Sequence, residues 1–234
     1  MLSSYPINKS FYRIESGTSM SSPYMAGVAA LYLEVFGKQQ SFEQLRTAFM
    51  NYAIPLKDRN TLLSPVLHQG AGFINLYDTL KATSFVYPSK INLNDTINFN
   101  KYHTLNIYNA GRKEMIYKLS HLPAPSVNGY NNNLSRDYLS LKYLTNKIAS
   151  VTFENDLITV APGTSVKVSV TFTPPTLPKN EHWFYSGWLE VAPLYDIMPV
   201  MRVPYGKYIY IFLKKLFYSY YLKIIVITID LSTS

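Results

Sequence analysis

Gly17-Thr18-Ser19-Met20-Ser21-Ser22-Pro23-Tyr24-Met25-Ala26-Gly27 is the stretch that decides how this chain is read. A helix is expected to begin near Ser19, with Pro23 in its first turn, where a missing N–H removes no intrahelical bond. Met25, Ala26, Gly27, Val28, Ala29, Ala30, Leu31 and Leu33 follow almost without polar interruption. A helix that is apolar on every side is a buried helix, and Gly37 fits its stop. The free N–H groups and the positive dipole end at the helix start favour negative charge there. An alkoxide on Ser19, or the oxyanion of a tetrahedral intermediate, would be stabilised by that field, with the Ser19 backbone N–H as one donor. Gly17 leaves room for a substrate and for an unusual backbone angle. A bare Gly-Thr-Ser would read as an ordinary helix N-cap, so the decision rests on the whole pattern.

Two further helices follow. Ser41 is a candidate N-cap, and Gln44, three residues on, completes a capping box. Leu45, Ala48, Phe49 and Tyr52 then recur at helical spacing. A short helix is expected after the candidate N-cap Asn75, through Leu76, Leu80 and Ala82. Beyond this the period changes. Runs at 103–108, 115–119, 149–153, 166–172, 183–191 and 200–203 are short and rich in β-branched and aromatic residues. Val166-Lys167-Val168-Ser169-Val170-Thr171-Phe172 alternates most clearly. Asn109-Ala110-Gly111, Pro162-Gly163 and Pro174-Pro175 divide them as turns. Several short strands with such turns predict an all-β sandwich. The expected division is residues 1–84, mostly helical; 85–205, strands; and 206–234, a tail of different composition.

The formal net charge of +8 raises the question of an anionic partner. The Lys and Arg residues are scattered and no nucleic-acid motif accompanies them, which argues against nucleic acid. Charged residues make up 15% and hydrophobic ones 47%, a balance that suits a packed core and not a disordered chain. With no cysteine, there is neither a disulfide framework nor a thiolate zinc site. Three glycan acceptor sequences begin at Asn8, Asn94 and Asn133. The N-terminus lacks the basic head and apolar run of a signal peptide.

The stretch from Gly17 to Gly27 resembles the nucleophile signature of the subtilisin-like serine proteases, Gly-Thr-Ser-Met-Ala/Ser-x-Pro-x-x-Ala-Gly, at every fixed position. Seven fixed identities at these spacings arise by chance less than roughly once in a million chains of this size. Leu2-Ser3-Ser4-Tyr5-Pro6 looks like the segment before the nucleophile. Gly70-Ala71-Gly72-Phe73-Ile74-Asn75 looks like the turn into the last helix of the catalytic domain. Val160-Ala161-Pro162-Gly163-Thr164-Ser165, Phe172-Thr173-Pro174-Pro175, Tyr185-Ser186-Gly187 and Arg202-Val203-Pro204-Tyr205 are similar to the fibronectin type III-like domain of large subtilases.

The resemblance implies an α+β chain: the helical remnant of a subtilisin-like α/β domain, then an all-β fibronectin type III-like sandwich. It implies an endopeptidase in which Ser19 is the acylated nucleophile and lends its backbone N–H to the oxyanion hole. Gly17, Thr18, Met20 and Pro23 flank it, and Met20 is the oxidation-sensitive neighbour. It implies protein or peptide substrates, no metal, no cofactor, and an extracellular or cell-surface location for the full-length protein.

A serine triad needs a base and a carboxylate to orient it. The family places Asp and then His before the serine, and an Asn oxyanion donor upstream as well. The residues before Ser19 contain neither Asp nor His, and Glu15 and Asn8 lie too close to fill those roles. Of His68, His103, His121 and His182, His68 shares the helical segment but reads as an exposed loop residue. The isolated chain is therefore expected to be inactive, with a non-enzymatic binding module as the alternative. Residues 1–84 are expected to be unstable alone, because the helix from Ser19 has little to bury against. In the tail, Lys214, Lys215 and Lys223 split the apolar runs below membrane-spanning length. A weak membrane-surface contact, an aggregation-prone segment and translated intron sequence are the readings of 206–234.

Overall fold

The computed structural model describes residues 2–58, 61–131, 136–178, 182–195 and 198–209. Almost all of the tail, residues 210–234, lies outside them, as does the acceptor Asn133.

A hairpin of β1 (Leu2–Ser4) and β2 (Tyr12–Ile14) leads into the long helix α1 (Thr18–Phe36). Gly37 ends α1, its N–H bonded to the Leu33 carbonyl. Pro23 lies deeper in α1 than the sequence suggests. A proline there lacks the N–H that would reach the carbonyl of Ser19 four residues back. α2 (Phe42–Asn51) opens on the anticipated capping box: Gln44 N–H donates to Ser41 Oγ at 3.2 Å, and Ser41 N–H to Gln44 Oε1 at 2.7 Å. A single helical turn, α3 (Val66–Gln69), carries His68, where a loop was expected. α4 (Leu76–Leu80) is capped by Asn75, whose side chain accepts from Asp78 N–H at 3.1 Å.

The strands form two sheets. In the first, β10 (Leu157–Val160), β6 (Met115–Pro123), β12 (Trp183–Pro193), β13 (Met201–Ile209) and β4 (Ile91–Asn92) lie side by side. β7 (Ser126–Asn131) also pairs with β12, and β8 (Arg136–Leu144) pairs with β7. The second sheet runs β3 (Ser84–Tyr87), β5 (Tyr102–Asn109), β11 (Ser165–Thr173), β9 (Ser150–Phe153). All the pairings are antiparallel except β13 with β4. The alternation foreseen in β11 appears as buried Val168, Val170 and Phe172 between exposed or half-buried neighbours. These pack with Leu105 and Ile107 of β5 against Tyr117, Leu189, Val191, Met201 and Val203 of the facing sheet. The result is an α+β chain with a β-sandwich.

Strand β12 is buried almost throughout instead of on alternate residues. Both of its faces are covered. Tyr185, Leu189 and Val191 enter the core between the sheets. Ser186 and Trp188 point the other way and meet the helical segment. Val66 N–H donates to Ser186 Oγ at 3.1 Å, and the Trp188 indole to the Ala71 carbonyl at 2.8 Å. The first sheet is therefore the middle of three layers.

Two residues tie the helical layer down. Tyr52, 2% exposed, belongs to the sandwich core, and its hydroxyl donates to the Ser84 carbonyl at 2.7 Å. Asn51 is fully buried. Its Oδ1 accepts from Val86 N–H of β3 at 2.8 Å, and its Nδ2 donates to the Arg202 carbonyl of β13 at 3.3 Å. One carboxamide thus bonds both sheets to α2. Gly72 permits the adjoining turn. It sits at φ 129°, and a side chain there would run into the Ile54 carbonyl. Phe73 and Ile54 meet at that point through a pair of backbone hydrogen bonds of 2.8 Å each.

The expectation of a buried α1 needs correction. Val28 and Tyr32 are buried, but Leu31 and Val35 are 56% and 60% exposed. Only one stripe of α1 finds neighbours, in a small cluster with Ala48 and Phe49 of α2, flanked by Ile74, Leu76 and Leu80. Towards the start of α1, Tyr24 stacks on Phe73 with ring centroids 6.2 Å apart, while Leu31 and Val35 stay largely in solvent.

Asn51→Ala would leave a buried N–H and a buried carbonyl without partners. The expected loss is about 2–4 kcal/mol of unfolding free energy, read by urea denaturation. Ser41→Ala, which removes only a cap, should cost about 1 kcal/mol.

Candidate active-site segment

Gly17 is the N-cap of α1 and is extended, at φ 157° and ψ 166°. Its carbonyl accepts from Met20 N–H at 3.1 Å and Ser21 N–H at 3.3 Å, and the Ser21 hydroxyl donates to it at 3.4 Å. A side chain at position 17 would meet Met20 Sδ at an ordinary 3.8 Å. Met20 is thus the residue that closes over the glycine. Thr18 and Ser19 occupy the first turn, and both are exposed. Ser19 is not the cap, and no side-chain capping bond is made at this end of the helix. Its hydroxyl stands in solvent at the positive end of a 19-residue helix. Pro23 lies one turn further on, beside the carbonyl it cannot serve.

The groups that could act on Ser19 lie elsewhere. Glu15 pairs with Arg13 at 2.6 Å across the end of the hairpin. Asn8 is exposed on the turn of 3₁₀ helix between β1 and β2. His68 is exposed on α3. His103 is part of the sandwich, with Nε2 3.0 Å from the Asn100 carbonyl and its ring edge-on to Phe172. His121 Nε2 lies 2.7 Å from the Tyr205 hydroxyl. Among the described residues, no histidine is hydrogen-bonded to Ser19. Nor do three or more His, Cys, Asp or Glu gather as a metal site there.

The His121–Tyr205 contact spans β12, which lies between their strands. Gly187 makes it possible: a Cβ there would stand 2.8 Å from Tyr205 Oη and 2.6 Å from the Leu122 carbonyl. Burial lowers the His121 pKa from 6.5 to about 4.

The structure thus presents an exposed serine at the start of a helix, after an extended glycine, on a helical segment joined to a β-sandwich. Residues 2–81 match the Subtilase family, and residues 91–206 match an Fn3-like domain. The resemblance to the subtilisin-like serine proteases thus extends over the helical segment, and the sandwich that follows it is similar to an Fn3-like domain. The chain is similar to the minor extracellular protease Vpr of Bacillus subtilis (strain 168). The two are 34% identical over 114 residues, which is 47% of this chain and 14% of the relative. Two solved structures show a distant likeness. The PapD-like domain 7 of human CEP192 is 17% identical, covering 54% of this chain and 83% of that one, with a TM-score of 0.36. The Escherichia coli chaperone DraB is 10% identical, covering 54% and 53%, with a TM-score of 0.32. Likenesses at that level carry no argument about function.

The buried His121 sets a pH dependence. The unfolded chain takes up a proton near pH 6.5, and the folded chain only near 4. The unfolded state therefore binds more protons between those values. The associated stability is complete above about pH 6.5 and is lost as pH falls towards 4. Urea unfolding of wild type should lose on the order of 2 kcal/mol more across this window than His121→Gln does.

Proposed function

We propose that this chain supplies the nucleophile segment of a subtilisin-type serine endopeptidase, with Ser19 as the residue acylated. The observation that carries this reading is an exposed Ser19 in the first turn of α1, directly after the extended Gly17, inside the segment that matches the subtilases. Ser19 Oγ attacks the peptide carbonyl carbon and its proton passes to a histidine base. That base protonates the departing amine, and water then releases the acyl group from Ser19. The oxyanion forms at the N-terminus of α1, where the Ser19 N–H and the helix dipole favour it. Thr18, Met20 and Pro23 shape the turn around it. The substrates are proteins or peptides, and the working location is outside the cell, as the name of the Bacillus relative suggests. The division of labour follows residues 1–84, 85–205 and 206–234.

The described residues place no base beside Ser19 and leave much of α1 in solvent. Those two facts favour a chain that is inactive on its own, with the sandwich acting as a binding and supporting module.

A fluorophosphonate probe applied to the native source separates the two. Active protease predicts a labelled species that contains the Ser19 peptide, has a mass well above 26.8 kDa, and loses its label in Ser19→Ala. An unlabelled species near 26.8 kDa would instead establish the inactive module.

A further inference from the structure

We propose that the end of the sandwich beside Phe99 binds a small carboxylate, held by Lys207, Tyr185 and Trp183. The inference is independent of the protease reading, since none of these residues lies in the protease segment. Tyr185 on β12 stands directly opposite Lys207 on β13, and Trp183 is two residues along on the same face. Trp183 and Tyr185 are fully buried, and Lys207 is 5% exposed. Trp183 Nε1 and Tyr185 Oη have no hydrogen-bond partner among the described residues. An indole N–H and an ammonium only donate, and a phenol donates readily. Two neighbouring buried groups therefore have a hydrogen to give and nothing among the described residues to receive it, and the Lys207 ammonium lies beside them. Buried polar groups are nearly always paired, so the set is better explained by an acceptor from outside than by packing.

The ammonium has partial compensation. Lys207 Nζ lies 3.6 Å from the centre of the Phe99 ring and 6.0 Å from that of Tyr185, within the range of a cation–π contact. That contact does nothing for the phenol or the indole. Among the described residues, the carboxylate felt by Lys207 is Asp95. Asp95 Oδ1 already accepts from Ile97 N–H at 3.0 Å, Asn98 N–H at 2.8 Å and Asn98 Nδ2 at 3.0 Å, which commits it to its own loop. Burial outweighs it and lowers the Lys207 pKa. An external carboxylate would reverse that shift, because it stabilises the ammonium and accepts from both other donors. The aromatic walls suit a carboxylate with a short apolar stem. A free organic acid and the C-terminus of a peptide both meet that description. Lys142, whose Nζ lies 5.4 Å from the Trp183 ring, adds a second positive charge on the same side.

The chain has two tryptophans, so a ¹⁵N spectrum of the full protein shows two indole signals. The Trp188 indole is bonded to the Ala71 carbonyl and serves as the internal reference. Sodium acetate should move the Trp183 signal saturably at about millimolar concentration, whereas acetamide and ionic-strength-matched sodium chloride should not. Tyr185→Phe, which removes one oxygen, should weaken the response several-fold, and Lys207→Met should abolish it. An unmoved Trp188 signal certifies the fold of each variant. A blocked dipeptide with a free C-terminus, run beside its amide, distinguishes a peptide terminus from a free acid as the source. No shift with any carboxylate, an equal shift with acetamide, or an undiminished shift in Tyr185→Phe would overturn the proposal.

Discussion

The carboxamide of Asn51 is the contact on which the arrangement of this chain depends. It is fully buried at the end of α2 and holds the backbone of β3 with its oxygen and the backbone of β13 with its nitrogen. A helical segment that merely rested on a sandwich would make apolar contacts and slide. A buried amide with two backbone partners cannot slide without orphaning both, and each orphan costs more than an average hydrogen bond contributes. Beside it, Tyr52 inserts its ring into the sandwich core and gives its hydroxyl to the Ser84 carbonyl. Ser84 Oγ in turn meets the buried Tyr117 hydroxyl of the facing sheet. The polar groups at this seam are satisfied mutually, which is what allows a seam of this kind to be dry.

That seam explains the unusual burial of β12. An antiparallel sheet with one wet face alternates apolar and polar residues. Here Tyr185, Leu189 and Val191 face one layer while Ser186 and Trp188 face another, so nearly every residue is covered. The glycines on these strands serve close approach. Gly187 lets the Tyr205 hydroxyl cross to His121, and Gly206 lies under the Phe184 ring, which a Cβ would strike at 2.6 Å. Each glycine gives up a side chain so that an aromatic one can pass.

The legible parts of the sequence were those set by local chemistry. The capping box at Ser41 and Gln44, the Asn75 cap, the Gly37 stop and the alternation of β11 each depend on residues a few positions apart, and all four are present as read. The seven fixed positions around Ser19 carried the resemblance to the subtilases in the same way. What was not legible depended on distant partners. β3, β4, β7 and β10 are too short or too polar to show a period, and they exist because a neighbouring strand supplies their hydrogen bonds. α1 was read as buried because its composition is apolar all round, yet burial is a property of what lies opposite. Asn51 looks like any polar residue at the end of a helix. Its partners are 35 and 151 positions away, and no pattern in one chain announces them. The donor cluster at Trp183, Tyr185 and Lys207 was hidden because a lysine in a strand reads as a solvent-facing residue.

The two halves of the helical segment are therefore held very differently. α2 is fastened to the sandwich by hydrogen bonds and by a shared core, and the turn before α4 is fastened through Ala71 and Trp188. α1 reaches that fixed layer chiefly through Tyr32, whose ring meets Phe49 edge-on at 5.3 Å, and through Val28. Ser19 lies more than two helical turns from Val28, exposed at the start of α1. Stability falls off along such a lever, because local opening follows the density of buried contacts. A nucleophile works only when it is held to within a fraction of an ångström of its partners. The sandwich can fix the far end of α1, but on the proposed reading of Ser19 as a nucleophile the precision has to come from whatever packs against the open face of that helix. The apolar surface at Tyr24, Met25, Leu31 and Val35 is the place where that support would act.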